Sequence, residues 1–233
     1  MANATRTIVA DADALAREAA DRIAAALEAS VAARGRAHLA LAGGSTPRRA
    51  YEQLAALHGA RVPWGQVEIW FGDERCVPPD HPDSNYGMAH AALLSRVALP
   101  PAQVHRMAGE REDREAAAAE YAAALPSAFD LLLLGLGPDG HTASLFPGSP
   151  ALGEAERRVV AVVGPKPPPH RLTLTPPAFA AARAVLVLAC GSDKASAVAR
   201  SLARDATPEA TPACLLAERD WLLDRAAAAD LDS

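Results

Sequence analysis

Lysine is nearly missing from this sequence. Among 23 basic residues only Lys166 and Lys194 are lysines. Wherever general positive charge suffices the chain uses arginine, which marks the two exceptions as candidates for particular work. Cysteine is scarce too: Cys76, Cys190 and Cys214 are odd in number, widely spaced and never in a C-x-x-C pair. That excludes a disulfide scaffold and fits a reducing cytoplasm. No apolar run reaches about 18 residues, so no transmembrane span is expected. The opening "MANATRTIVADADALAREAAD" carries acids where a signal peptide would be apolar. A positive overall field is also absent. The net charge is -5, which argues against a general partner in nucleic acid or an anionic membrane, so charge for an anionic ligand must be local.

What is present is alanine and aliphatic residues, with 50% hydrophobic and only 4% aromatic content over 233 residues. Ala-rich helices packed on a sheet suit that composition, and the length allows one α/β domain over 1–233 with a sizeable core. Asp11 to Arg34 has apolar residues at Leu15, Ala19, Ile23, Leu27 and Val31, the spacing of a helix that Asp11 or Asp13 can cap. Further helices are predicted from Pro47 to about Leu57, over Met88–Arg96, Glu112–Ala124 and Ser192–Ala203, and at the C-terminus. Strands are predicted at His38–Ala42, Val67–Phe71, Phe129–Leu134, Val159–Val163, Arg171–Leu174 and Ala184–Cys190, with shorter ones at Gln103–Met107 and Trp221–Leu223. "GDERCVPPDHPDSNYG" reads as a long polar loop. Phe129–Leu134 is apolar on both faces, as a central parallel strand requires. The alternation gives an open, mostly parallel, Rossmann-like sheet with helices on both faces.

After that central strand stands "GLGPDGH", residues 135–141, a letter-for-letter G-x-G-x-x-G. A dinucleotide site would need an acid at the end of the next strand, and Val159–Val163 ends in Gly164-Pro165-Lys166. The fingerprint also sits past mid-chain rather than in the first βα turn. The turn instead delivers Asp139 and His141 to the carboxyl edge of the sheet, where open α/β folds bind ligands. A neutral imidazole there is a competent general base. A helix starting near His141 would favour the neutral ring and offer N–H groups to an oxyanion.

An anion has a second place to sit. In "LALAGGSTPRRAYEQL" a strand, a Gly-Gly turn, two hydroxyls and a helix start form a phosphate cradle from Gly43, Gly44, Ser45 and Thr46, with Arg48 close by. No Walker Gly-Lys-Ser/Thr follows, which argues against NTP hydrolysis. Arg171 lies among prolines in "PPPHRLTLTPP", and Lys194 at a strand-to-helix turn in "ACGSDKAS". Asp73, Glu74 and Arg75 in "GDER" reach the same edge, where one carboxylate near the histidine and one guanidinium near the substrate would make an acid/base set. Asp80, His81 and Asp83 have no supporting ligand cluster, so no metal is assigned.

Taken in order, "GGSTP", "GDER…DSNYG", "GLGPDGHTASLFPG" and "HRLTLTPP" followed by "GSDKA" resemble the 6-phosphogluconolactonase family from about Leu39 to Lys194. The resemblance implies a Rossmann-like α/β fold shared with glucosamine-6-phosphate deaminases. It implies hydrolysis of a phosphorylated sugar lactone, 6-phospho-D-glucono-1,5-lactone, to 6-phosphogluconate with no metal or organic cofactor. Apart from the resemblance, a cytoplasmic monomer or small homo-oligomer is expected. By the same resemblance His141 activates water and Arg75 faces the lactone end. Gly44, Ser45, Thr46, Arg48, Arg171 and Lys194 surround the phosphate, and Asp139 accompanies the histidine. Deaminase relatives carry a turn like "DGHIAFNEP" with Glu five residues after the His; here that position is Phe146. A non-catalytic sugar-phosphate sensor is the remaining alternative.

Overall fold

The computed structural model describes residues 5–231. Its centre is a six-stranded, all-parallel sheet. The strands are β1 (Arg6–Val9), β2 (Ala37–Leu41), β3 (Val67–Phe71), β5 (Leu131–Gly135), β8 (Val185–Ala189) and β9 (Asp220–Asp224), in the spatial order β1-β9-β8-β5-β2-β3. Between β3 and β5 in the chain comes β4 (Asp73–Arg75), which joins β7 (His170–Leu174) and β6 (Val159–Val163) in a small antiparallel sheet ordered β4-β7-β6.

The period of the strands decides the layers. In β5, Leu131 and Leu133 enter one core while Leu132 and Leu134 enter the other. The first core is closed by α1 (Ala12–Arg34), α2 (Ser45–His58) and α3 (Asn85–Ala92). The second is closed by α4 (Arg114–Ala124), α5 (Pro176–Ala181), α6 (Ala195–Leu202) and the small sheet. Strand order reverses between β2 and β5, so the turns after those two strands part and leave a crevice at their carboxyl ends.

Several expectations shift. Helix α2 starts at Ser45, with Gly44 as its cap, so Pro47 is its third residue. The polar loop contains β4, and α3 begins at Asn85, not Met88. Ser84 Oγ accepts from Gly87 N–H, and the Glu74 carboxylate accepts the N–H groups of Asn85 and Tyr86, which extends the helix start backward. Gln103–Met107 reduces to a single bridge of Val104 to Ile69. The C-terminal helix is a series of turns. Strand β1 was hidden because it is a short edge strand with no fully buried side chain, and α5 because two prolines open it.

Helix α1 is capped as read: Asp11 Oδ1 accepts from Asp13 and Ala14 N–H at 3.0 and 2.9 Å. Replacing Asp11 by Ala is expected to lower the midpoint of urea unfolding. An unchanged midpoint would mean that packing of the α1 face alone holds the helix.

Candidate active site

Four strand ends meet at the crevice. A cavity of about 210 Å³ is lined by Gly43–Pro47 after β2, Asp73 and Arg75 after β3, Gly135–Pro138 and His141 after β5, Lys194 after β8, and Arg171 on β7. The structure thus brings together Gly43, Gly44, Ser45, Thr46, Asp73, Arg75, His141, Arg171 and Lys194. It leaves out Arg48. That side chain is exposed and paired with Glu52 one helical turn on, at 3.1 Å, as an i,i+4 partner on an outward face allows. Asp139 does not line the cavity but stands behind His141.

His141 is held from three sides. Its Nδ1 lies 2.5 Å from Asp139 Oδ1, which also accepts the His141 backbone N–H at 3.2 Å. Its ring centroid is 4.7 Å from that of Phe146. Against the third side runs the Gly137 backbone: a Cβ there would come within 2.0 Å of Nδ1, so no other residue fits. A carboxylate on Nδ1 fixes the proton on that nitrogen and leaves Nε2 with its lone pair. Burial raises the Asp139 pKa, but the His141 charge and hydrogen bonds, with Lys166 beyond, outweigh it and hold the carboxyl below its ordinary value. A depressed carboxyl stabilises the fold above its ordinary pKa and loses that contribution as pH falls through the lowered value, so the pair is intact at neutral pH.

No helix begins at His141, so the condition for a helix dipole there is not met. Residues 136–148 stay in turns because their hydrogen bonds go elsewhere. Gly137 N–H donates to His141 O, Thr142 Oγ1 to Gly135 O, and Ser144 N–H to Thr173 Oγ1. Ala143 takes φ 48°, which no α-helix continues. Asp139 and Phe146, rather than a helix start, therefore hold the imidazole in place.

The cations are arranged unusually. Arg75 and Arg171 stand directly opposite across the β4–β7 ladder, so their side chains leave the same face. Arg171 is only 6% exposed, and its guanidinium lies 5.5 Å from the Phe146 ring. Burial, then the charge of Arg75, push its pKa below the ordinary arginine value, yet a guanidinium stays charged. Among the described residues neither arginine has a salt bridge, and both Nε atoms are buried without a partner. Arg75 Nη1 donates to Asp83 O and Arg171 Nη2 to Lys166 O, which orients them without neutralising them. Across the cavity, α2 presents an N-terminus with no side-chain cap, behind Gly44 at φ 102°, unlike α1, α3 and α4, which Asp11, Ser84 and Asp113 cap. Uncapped N–H groups and unpaired guanidinium groups lining one cavity are chemically suited to anions. Lys194 adds a third cation, 3.0 Å from an exposed Asp193.

Asn85 escaped the sequence reading, and Glu74, expected at the sheet edge with Asp73 and Arg75, takes a supporting place instead. Asn85 lines the cavity, and Glu74 supports it, accepting from Ser84 Oγ and from the N–H groups of Arg75, Asn85 and Tyr86. A serine just before Asn85 signals a helix cap, but nothing local shows that Asn85 turns back to Asp73.

Residues 10–223 match the family described as glucosamine-6-phosphate isomerases/6-phosphogluconolactonase. The chain is 44% identical to the 6-phosphogluconolactonase of Streptomyces coelicolor, over 95% of its own length and 92% of that protein's. In three dimensions it is similar to the 6-phosphogluconolactonase from Trypanosoma cruzi, with a TM-score of 0.85 at 30% identity, 99% of this chain and 97% of that one covered. A monomeric glucosamine-6-phosphate deaminase superposes with the same TM-score, 0.85, over 97% and 99% of the two chains; at 24% identity that likeness speaks for the fold alone.

Inorganic phosphate is expected to raise the melting temperature of the wild type, because a ligand that binds only the folded state stabilises it by mass action. Arg171→Ala should abolish most of that rise. An equal rise in both proteins would place the anion somewhere other than this cavity.

Proposed function

The chain belongs to the glucosamine-6-phosphate isomerase/6-phosphogluconolactonase family, and from that premise we propose that it is a lactonase of the oxidative pentose phosphate pathway, opening 6-phospho-D-glucono-1,5-lactone to 6-phospho-D-gluconate. The observation that carries the reading is one cavity with a double-arginine anion site and a carboxylate-held histidine. The phosphate sits on the Ser45 and Thr46 end of α2, behind Gly43 and Gly44, and takes its counter-charge from Arg171 and Lys194. Phosphate binding far from the reacting carbon fixes the ring, so its binding energy lowers the barrier.

His141 Nε2 takes a proton from water as the oxygen attacks C1. Asp139 steadies the imidazolium that forms, as a carboxylate behind a catalytic histidine does. The lactone carbonyl oxygen becomes an oxyanion facing Arg75, whose charge is already fixed in position. On collapse the C1–O5 bond breaks, and O5 leaves with the proton from His141. Water is consumed, one ester bond is lost, and a carboxylic acid and a hydroxyl result; no step uses a metal or organic cofactor. The half-buried, unpaired thiols of Cys76, Cys190 and Cys214 fit a cytoplasmic enzyme, with the whole chain acting as one α/β unit.

Against deaminase chemistry stands Phe146. Deaminase relatives place a carboxylate at this position, whereas here an apolar ring packs on the imidazole, so the deaminase's partner carboxylate has no counterpart at position 146.

His141→Ala is expected to lower kcat by about 10²–10⁴, while 6-phosphogluconate binding measured by calorimetry stays nearly the same. Wild-type turnover in that variant would remove His141 from the mechanism. Arg171→Ala and Lys194→Ala should mainly raise KM, and a large fall in kcat at constant KM would contradict their phosphate role.

A further inference from the structure

One wall of the cavity carries no cation. Asp73 and Asn85 line it, with Ser144 behind. Asn85 is the first residue of α3, is 2% exposed, and is held at three points. Its backbone N–H donates to Glu74 Oε1 at 2.6 Å, and Nδ2 donates both to Asp73 O at 2.9 Å and to Asp73 Oδ1 at 3.0 Å. The other carboxylate oxygen of Asp73 accepts from Ser144 Oγ at 2.6 Å. With both amide protons committed, the carboxamide has one orientation. Its Oδ1 lies against Gly43, where a Cβ would come within 2.0 Å of it. Among the described residues no donor meets Oδ1. This oxygen borders the cavity, so a donor for it can come from whatever the cavity binds.

A wall that only accepts hydrogen bonds repels the phosphate and suits hydroxyl protons. The lactone carries hydroxyls on C2, C3 and C4 between its two charged or reacting ends. We propose that Asn85 is a specificity-determining residue whose Oδ1 accepts a hydrogen bond from one of these ring hydroxyls, with Asp73 as the positioning residue that fixes the amide. The inference rests on the lactonase reading above. It explains why Gly43 tolerates no side chain: the space belongs to the carboxamide.

The test compares kcat/KM for the parent lactone with that for its 2-, 3- and 4-deoxy analogues, each corrected for spontaneous opening. In the wild type one deoxy lactone should be disfavoured by about tenfold or more, since a site built to bind a hydroxyl leaves its own acceptor unpaired when the hydroxyl is missing. In Asn85→Ala that one ratio should fall toward unity while the other two hold. A general loosening of α3 would not single out one analogue. Should Asn85→Ala fail to fold, Gly43→Ala displaces the same carboxamide and should flatten the same ratio. Equal rates for all four lactones in the wild type, or an undiminished ratio in the variants, would overturn the role of Asn85 and leave the function standing. No turnover of the parent lactone would overturn both.

Discussion

Two guanidinium groups, those of Arg75 and Arg171, are held side by side in a cavity wall, and among the described residues no carboxylate is salt-bridged to either. Burying like charges together is unfavourable, and burial with mutual repulsion already weakens the hold of Arg171 on its proton. On the proposed function a phosphate between Arg171 and the uncapped start of α2, and a lactone oxyanion at Arg75, would offset that cost. The rest of the site is disposed around these groups. Strand order reverses between β2 and β5, which opens the crevice, and the β4–β7 pairing turns both arginines to one face.

The chemical end is built differently, from close contact rather than charge. Gly137 lets the His141 ring lie against the backbone, Asp139 fixes the Nδ1 proton, and Phe146 closes the remaining side. Phe146 also lies under the Arg171 guanidinium, so one apolar ring borders both the imidazole and the anion-binding group. The deaminase fold neighbour superposes as well as the lactonase one, so the backbone does not choose between the chemistries. On the motif resemblance the difference falls at position 146, an apolar ring in this chain.

Much of this was legible in the residues. The central strands announce themselves by apolar side chains on both faces, and Val67–Phe71 and Val159–Val163 fall as the pattern predicts. The glycine turns point to Gly43–Thr46 and to Asp139–His141 because strand-to-helix and strand-to-turn junctions there must leave backbone groups free. What failed depends on remote partners. A helix at His141 was plausible locally, but Thr173, on another strand, captures the Ser144 N–H. The start of α3 is set by Glu74 in an earlier strand. Arg48 was the reverse error: Glu52, four residues on, already marked it as an outward-facing partner. Asn85 carries no local mark, since its meaning comes from Asp73, twelve residues before it.

The central claim is that one cavity grips a phosphate at the α2 end and holds an ester carbon at His141. A crystal structure with 6-phosphogluconate bound tests it most directly. The account predicts phosphate oxygens on the Ser45 and Thr46 amides and on Arg171, with the C1 carboxylate within hydrogen-bond reach of His141 Nε2. A phosphate bound at His141, or a C1 carboxylate lying away from the imidazole, would contradict it.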